Sequence, residues 1–242
     1  MIAVSYVGLH RAGAAKGTVI VIDVLRAFTT AAFAFAAGAE AITVVPTVQE
    51  AFALRDQNPS WLIMGEEGGL PVQGFDLDNS PAALLGRDLT GRRLIQRTSS
   101  GTQGVVRSRH APHLLAASLC CARATASAVL SLQPRNVTMV ITGSHAAGLA
   151  DEDLACAEYL EALIHGDQPD DQRAVRRVLG SKAAQKFTDP QRPQFSPADL
   201  QCAVDIDRFP FTMPLQREGD HLVMKPAPPV TSRRNSGSEG VP

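Results

Sequence analysis

"VIVIDVLRAFTT", residues Val19 to Thr30, is the stretch that decides the fold. Four β-branched residues in a row read as a strand buried on both faces, as a sheet covered by helices on both sides requires. The strand ends on Asp23. Arg26 follows three residues later, and Thr29 and Thr30 enter an Ala-rich helix. A carboxylate in that position either caps the helix and pairs with the arginine, or stands in a site beyond the carboxyl end of the strand.

Working outward, apolar runs alternate with Ala- and Leu-rich segments, the pattern of an α/β layered fold. Strands are expected at Val19–Ile22, Ile42–Val45, Trp61–Met64, Arg93–Gln96, Leu114–Leu119 and Val137–Ile141. Helices are expected at Thr29–Ala37, from Thr47 to about Gln57, from Ser80-Pro81 onward, and at Glu152–Ile164, with a further helical segment after Pro169. Residues 68–81 are rich in Gly, Pro, Asp and Asn and read as a long loop, of a length that is usually functional or disordered. Residues 1–225 are expected to form one α/β domain, with a division into two subdomains left open. Residues 226–242 carry almost no apolar side chains and are expected to be a disordered tail.

Composition narrows the function classes. A net charge of −1 gives no basis for electrostatic capture of nucleic acid or an anionic membrane surface. Any anionic ligand must therefore be held by local geometry. The four cysteines show no CxxC pair and sit among Ala, Leu and Val, which suits buried reduced thiols. The N-terminal stretch lacks the pattern of a signal peptide, and a cytoplasmic protein is expected.

Several expected strands end on polar groups: Asp23 and Arg26, then Glu66 and Glu67, then Arg97-Thr98-Ser99-Ser100-Gly101-Thr102. Asp151, Glu152 and Asp153 open a later helix. Carboxylates, hydroxyls and arginines gathered at one sheet edge suit a hard cation together with an anionic ligand. Each piece also has a plain structural reading. Asp23 can cap a helix, three acids favour a helix N-terminus through the dipole, and "TSSGT" lacks the lysine of a P-loop. His113 and His145 are further candidates as proton donors.

Taken together, "VIDVLRAFTT", "GEEGG", "GFDLDNSP", "RTSSGT" and "DEDLACA" resemble the 2-phosphosulfolactate phosphatase family, in that family's order and across most of residues 1–207. The resemblance implies a three-layer α/β/α fold with a largely buried mixed or parallel sheet. It also implies a Mg²⁺-dependent acid phosphatase converting 2-phospho-3-sulfolactate to 3-sulfolactate, on the way to coenzyme M. Asp23, Glu66, Glu152 and Asp153 match the family's acidic positions. Arg26, Thr29, Thr30, Thr98, Gly101 and Thr102 match its anion-holding positions, and Asn79 and Ser80 its long loop. Asp23, Glu66 and Glu152 are the expected metal ligands, with Asp23 and Glu66 preferred as strand-end residues. Asp23, Arg26 and Asp153 are the expected catalytic groups, with Asp153 orienting a water. Thr29, Thr30, Asn79, Ser80 and the run Arg97, Thr98, Ser99, Ser100, Gly101, Thr102 are expected to hold phosphate and substrate.

The chain departs from the family pattern at Phe28, where a small hydroxyl is usual, and at Glu67, where a cation is common. It departs again at Arg97 and Ser100, where Thr and Asn are usual. These changes keep two alternatives open: a phosphatase for another small phosphorylated hydroxy acid, and a non-catalytic anion-binding protein. Leu25 stands where dehalogenase-type phosphatases place a second aspartate. The expected partner is a small phosphorylated anion, with neither nucleic acid nor membrane, and with homo-oligomerisation left open.

Overall fold

The computed structural model describes residues 1–145 and 148–228. Most of the tail expected from residue 226, and the side chain of His145, therefore lie outside the described residues. The strands in chain order are β1 (Ala3–Gly8), β2 (Thr18–Ile22), β3 (Ala41–Val44), β4 (Leu62–Gly65), β5 (Leu77–Asp78), β6 (Arg93–Arg97), β7 (His113–Ala117), β8 (Asn136–Ile141), β9 (Ser144–His145), β10 (Gly148–Leu149), β11 (Met213–Glu218) and β12 (His221–Met224). The α-helices are α1 (Ala27–Ala36), α2 (Val48–Gln57), α3 (Gly101–Arg107), α4 (Ala122–Ser131), α5 (Asp151–His165), α6 (Asp171–Gly180) and α7 (Pro197–Val204).

Ten strands form one sheet in the order β1-β8-β2-β7-β11-β12-β3-β6-β4-β5. All neighbours pair in parallel except around the β11–β12 hairpin, which runs antiparallel to β7 on one side and to β3 on the other. The sheet is thus mixed, and mostly parallel. Every residue of β2 is buried, as its unbroken β-branched run requires. Val19 and Val21 pack on one face with α1 and Val105 of α3, while Ile20 and Ile22 pack on the other with α4 and α5. On that second face α2 covers the far half of the sheet, against Val45, Ile63 and Ile95. The result is helices, sheet and helices in three layers. No described helix is long and apolar enough to cross a membrane.

Two local readings change. The chain at Ser80-Pro81 continues only into a short 3₁₀ turn, Ala82–Leu84, and the loop before it contains β5, paired to β4. The β11–β12 hairpin was not expected from the sequence. Pro214 interrupts the pattern of β11 and demotes it as a strand, yet Pro214 pairs opposite Leu115 within the ladder.

The hairpin's three antiparallel pairings reverse the sheet, so β3, β6, β4 and β5 run opposite to β1, β8, β2 and β7. The ends of the adjacent parallel strands β2 and β8 open together. Gly65 closes β4 with φ +148, and a Cβ there would lie 1.8 Å from the carbonyl oxygen of Arg97 on β6. Only glycine permits that approach. Gly65→Ala is therefore expected to destabilise the fold by about 2 kcal/mol or more, lowering Tm by at least about 4 °C. A thermal melt within one degree of the parent would show that the β4–β6 contact relaxes freely.

Candidate active site

Asp23 is where β2 delivers its polar cargo. Its backbone continues the ladder by donating to Ala117, and its Oδ1 accepts from the Ala27 N–H at 3.0 Å, the start of α1. The capping role is thus real, but it occupies one oxygen. The other points toward α3: a Cβ on Gly101 would sit 2.8 Å from Asp23 Oδ2 and 2.7 Å from Ala27 Cβ. Glycine at 101 is what leaves that oxygen its space. Burial pushes the Asp23 carboxyl up to about 6, and the charges of Glu66 and Glu152 add to the shift.

The three acids that open α5 divide by exposure. Asp151 is exposed and pairs with Arg177 at 3.3 Å. Glu152 and Asp153 are buried, at 5% and 2% exposure. Asp153 Oδ1 accepts from the Val24 N–H at 2.8 Å, and Oδ2 accepts from the Gly143 N–H at 2.8 Å and the Thr142 hydroxyl at 3.3 Å. One carboxylate thereby ties the turn after β2 to the turn after β8. Burial raises the Asp153 carboxyl well above the usual carboxylate range, reinforced by the charges of Asp23 and Glu152.

Glu66 works differently. Its Oε1 accepts from the Ser99 N–H at 2.5 Å, and Oε2 from the Gly69 N–H at 2.5 Å and the Ser99 hydroxyl at 3.1 Å. It clasps the turn after β4 to the turn after β6. In that second turn Thr98 and Thr102 cap each other: the Thr98 N–H donates to Thr102 Oγ1 at 2.8 Å, and the Thr102 N–H to Thr98 Oγ1 at 3.0 Å. Arg97 donates to the Glu66 carbonyl at 2.7 Å and pairs with Glu67 at 2.9 Å. The two charged departures from the family pattern are therefore partners, and their charges cancel locally.

Arg26, Thr29, Thr30 and Ser80 are all committed elsewhere. Arg26 bonds Asp199 at 2.8 Å and the Gln194 carbonyl at 3.2 Å, and its guanidinium stacks between Phe187 and Phe195, at 5.2 and 4.8 Å from the ring centroids. Asp199 is fully buried and also accepts from the Ser80 hydroxyl at 2.7 Å and the Ala82 N–H at 3.0 Å. The "GFDLDNSP" loop is thus docked on α7 through an acid that the sequence reading did not single out. The Thr29 hydroxyl donates to the Val24 carbonyl and meets Ser118, and Thr30 donates back to the Arg26 carbonyl. Asn79 is buried, with its side-chain oxygen unpartnered. His113 is exposed at the start of β7, the opposite end of the sheet from Asp23.

What the structure does bring together is a cleft of about 330 Å³. Asp23, Glu152 and Asp153 make its lining acidic, and Ser100, Thr142, Gly143, Lys182 and Lys186 line it as well. Of the expected residues, Asp23, Asp153, Glu152 and Ser100 share this cleft. Arg26, Thr29, Thr30, Asn79, Ser80, Glu66, Arg97, Thr98, Ser99, Gly101 and Thr102 do not line it. Thr142, Lys182 and Lys186 were missed. Two lysines four residues apart in "SKAAQK" were the available signal, easily read as a solvated surface.

Among the described residues no three acidic, histidine or cysteine side chains form a cage that could hold a metal ion unaided. Mg²⁺ does not need one: it is held by one or two carboxylates, waters and substrate phosphate oxygens. Asp23 and Glu152 fit that requirement, since both line the cleft and crowded buried carboxylates favour a neutralising cation. Glu66, with both oxygens accepting short hydrogen bonds outside the cleft, fits it less well.

A model of the 2-phosphosulpholactate phosphatase family matches residues 5–192. A protein of Bacillus subtilis (strain 168) named as a probable 2-phosphosulfolactate phosphatase is 38% identical over 216 residues, covering 89% of this chain and 94% of the relative. A similarly named protein of Synechococcus sp. (strain CC9605) is 38% identical over 150 residues, 61% of this chain and 62% of its own. One of Deinococcus radiodurans is 40% identical over 148 residues, 60% of this chain and 62% of its own.

The raised Asp23 carboxyl has a consequence for stability. The folded chain holds this proton more tightly than the unfolded chain, whose value is the ordinary 3.8. Its favourable contribution is present below about pH 4 and is lost as pH rises to about 6. Without divalent cations, Asp23→Asn, which mimics the protonated acid, is expected to be more stable than the parent at pH 7.5 by about 2 kcal/mol, and nearly equal to it at pH 4. Thermal melts of both proteins at the two pH values check this. The same difference at both would mean that Asp23 is not held protonated by the fold.

Proposed function

This chain belongs to the 2-phosphosulfolactate phosphatase family, and on that premise we propose that it is a Mg²⁺-dependent phosphomonoesterase acting on 2-phospho-3-sulfolactate, releasing 3-sulfolactate and phosphate on the route to coenzyme M. The observation that carries the reading is the mixed charge of the cleft: three buried carboxylates, two of them driven to higher proton affinity, share its lining with two lysines.

The carboxylate wall by itself repels a phosphate dianion. Asp23 and Glu152 would hold Mg²⁺, which supplies charge neutralisation for the ester's phosphate oxygens and for the wall. The remaining work falls to the chain's own groups. Ser100 lines the cleft, where its hydroxyl and backbone would meet a phosphate oxygen. Thr142 and the Gly143 N–H fix Asp153, and Asp153 orients the attacking water and takes its proton. Burial beside Asp23 and Glu152 raises the proton affinity of Asp153, the direction a general base requires.

Arg26 has a positioning role in this reading. Locked to Asp199 and stacked between Phe187 and Phe195, it anchors the segment that carries the two lysines. Thr29 and Thr30 hold the first turns of α1 in place behind Asp23.

The test is inorganic phosphate release from 2-phospho-3-sulfolactate with Mg²⁺ and then with chelator. Turnover that requires the metal and falls at least about 100-fold in Asp23→Asn is the expected result. Turnover unchanged by chelator would contradict the metal dependence. Binding without release would assign the chain to the anion-binding alternative, and faster release from 2-phospholactate would move the substrate to another phosphorylated hydroxy acid.

A further inference from the structure

We infer that Lys182 and Lys186 form the subsite for the part of the substrate that is not transferred, each taking one of the two anions that flank the phosphate ester. The inference rests on the phosphatase reading above and adds to it a basis for specificity.

The argument is a charge count at the cleft. The ester carries a phosphate, a carboxylate and a sulfonate. Once the phosphate lies at the carboxylate wall with its cation, the other two anions are repelled by Asp23, Glu152 and Asp153 and need cations of their own. The nearby arginines are spent: Arg26 on Asp199 at 2.8 Å and Arg97 on Glu67 at 2.9 Å. Among the described residues the cations lining the cleft are Lys182 and Lys186. Neither has a carboxylate within 4.0 Å among the described residues, whereas Arg26, Arg97 and Arg177 all do. Two lysines without an ion pair among the described residues, lining the same cleft as the carboxylates, match two free anions in number and sign.

The segment that carries the lysines is anchored, although both side chains are exposed. The Ser181 hydroxyl accepts from the Ala184 N–H at 3.1 Å, opening the 3₁₀ turn Ala184–Phe187. Phe187 closes that turn inside the protein, edge-on to Phe195 with centroids 5.2 Å apart. Lys186 extends along Phe195, its Nζ 5.9 Å from the ring centroid. The ammonium groups are thus presented from an anchored turn, which lowers the ordering required when the anions arrive.

The experiment compares Lys182→Ala, Lys186→Ala and the Lys→Arg variants with the parent, using three Mg²⁺-supplemented esters: 2-phospho-3-sulfolactate, 2-phospholactate and p-nitrophenyl phosphate. Each alanine variant is expected to raise KM for the sulfonate ester roughly tenfold, with a much smaller change in kcat and a much smaller rise for p-nitrophenyl phosphate; arginine restores part of the loss. Equal KM increases for all three esters would overturn the inference, because the lysines would then hold the phosphate. Unchanged KM values would overturn it too. A second readout is calorimetric titration of 3-sulfolactate, which needs no turnover. Affinity lower by roughly tenfold in each alanine variant supports the subsite, and equal or absent binding in all the proteins overturns it. Lack of turnover with every ester would overturn the phosphatase reading alone, leaving the titration to decide the lysines.

Discussion

Like charges confined to one small space set the terms for this molecule. Asp23, Glu152 and Asp153 reach the same cleft from the end of β2 and the start of α5, all nearly buried; Glu152 raises the proton affinity of both aspartates, and Asp23 that of Asp153. Such a cluster persists only where surrounding donors hold the groups apart and in place. Asp153 supplies the main restraint, with backbone N–H bonds from Val24 and Gly143 at 2.8 Å each. Those two bonds couple the chain after β2 to the chain after β8, adjacent parallel strands. The sheet order thereby becomes the order of the site.

Around that cluster the chain neutralises its other charges in pairs. Glu66 is saturated by the Ser99 and Gly69 N–H groups and the Ser99 hydroxyl, so it organises two turns and leaves the cleft. Arg97 and Glu67 answer each other, which explains why two departures from the family pattern can occur together without altering the local charge. Arg26 and Asp199 form a buried pair that also captures Ser80 and the Ala82 N–H. The cleft gathers buried carboxylates and two lysines that have no ion pair among the described residues. Charge left over after all structural pairing marks where a ligand belongs.

Much of the fold was legible in the sequence because its signals are local. The β-branched run Val19–Ile22 announced a strand covered on both faces, and Thr47 with Glu50 announced α2, where the Glu50 N–H donates to Thr47 Oγ1. The hairpin β11–β12 was hidden because Pro214 breaks its pattern and because nothing local says that residues 213–224 will insert between β7 and β3. The site was legible in its acids but not in its cations. Asp23 and Asp153 stand at element ends, where function is readable; Arg26 stands beside Asp23 in sequence, yet its partner lies 173 residues away. Asp199, Lys182 and Lys186 belong to segments that reach the site only through tertiary packing. Proximity along the chain suggested that Arg26 serves phosphate, and packing assigns it to Asp199.

The central proposal is that Asp23 and the acids beside it in the cleft receive a divalent cation. The most direct measurement is the melting temperature of the chain as Mg²⁺ is added at pH 7.5, in parallel for the parent and Asp23→Asn. A cation that binds only the folded chain raises the melting temperature progressively with its concentration. The account predicts that rise in the parent and its loss, or near loss, in the variant. A melting temperature indifferent to Mg²⁺ in the parent, or equally responsive in both proteins, would contradict it.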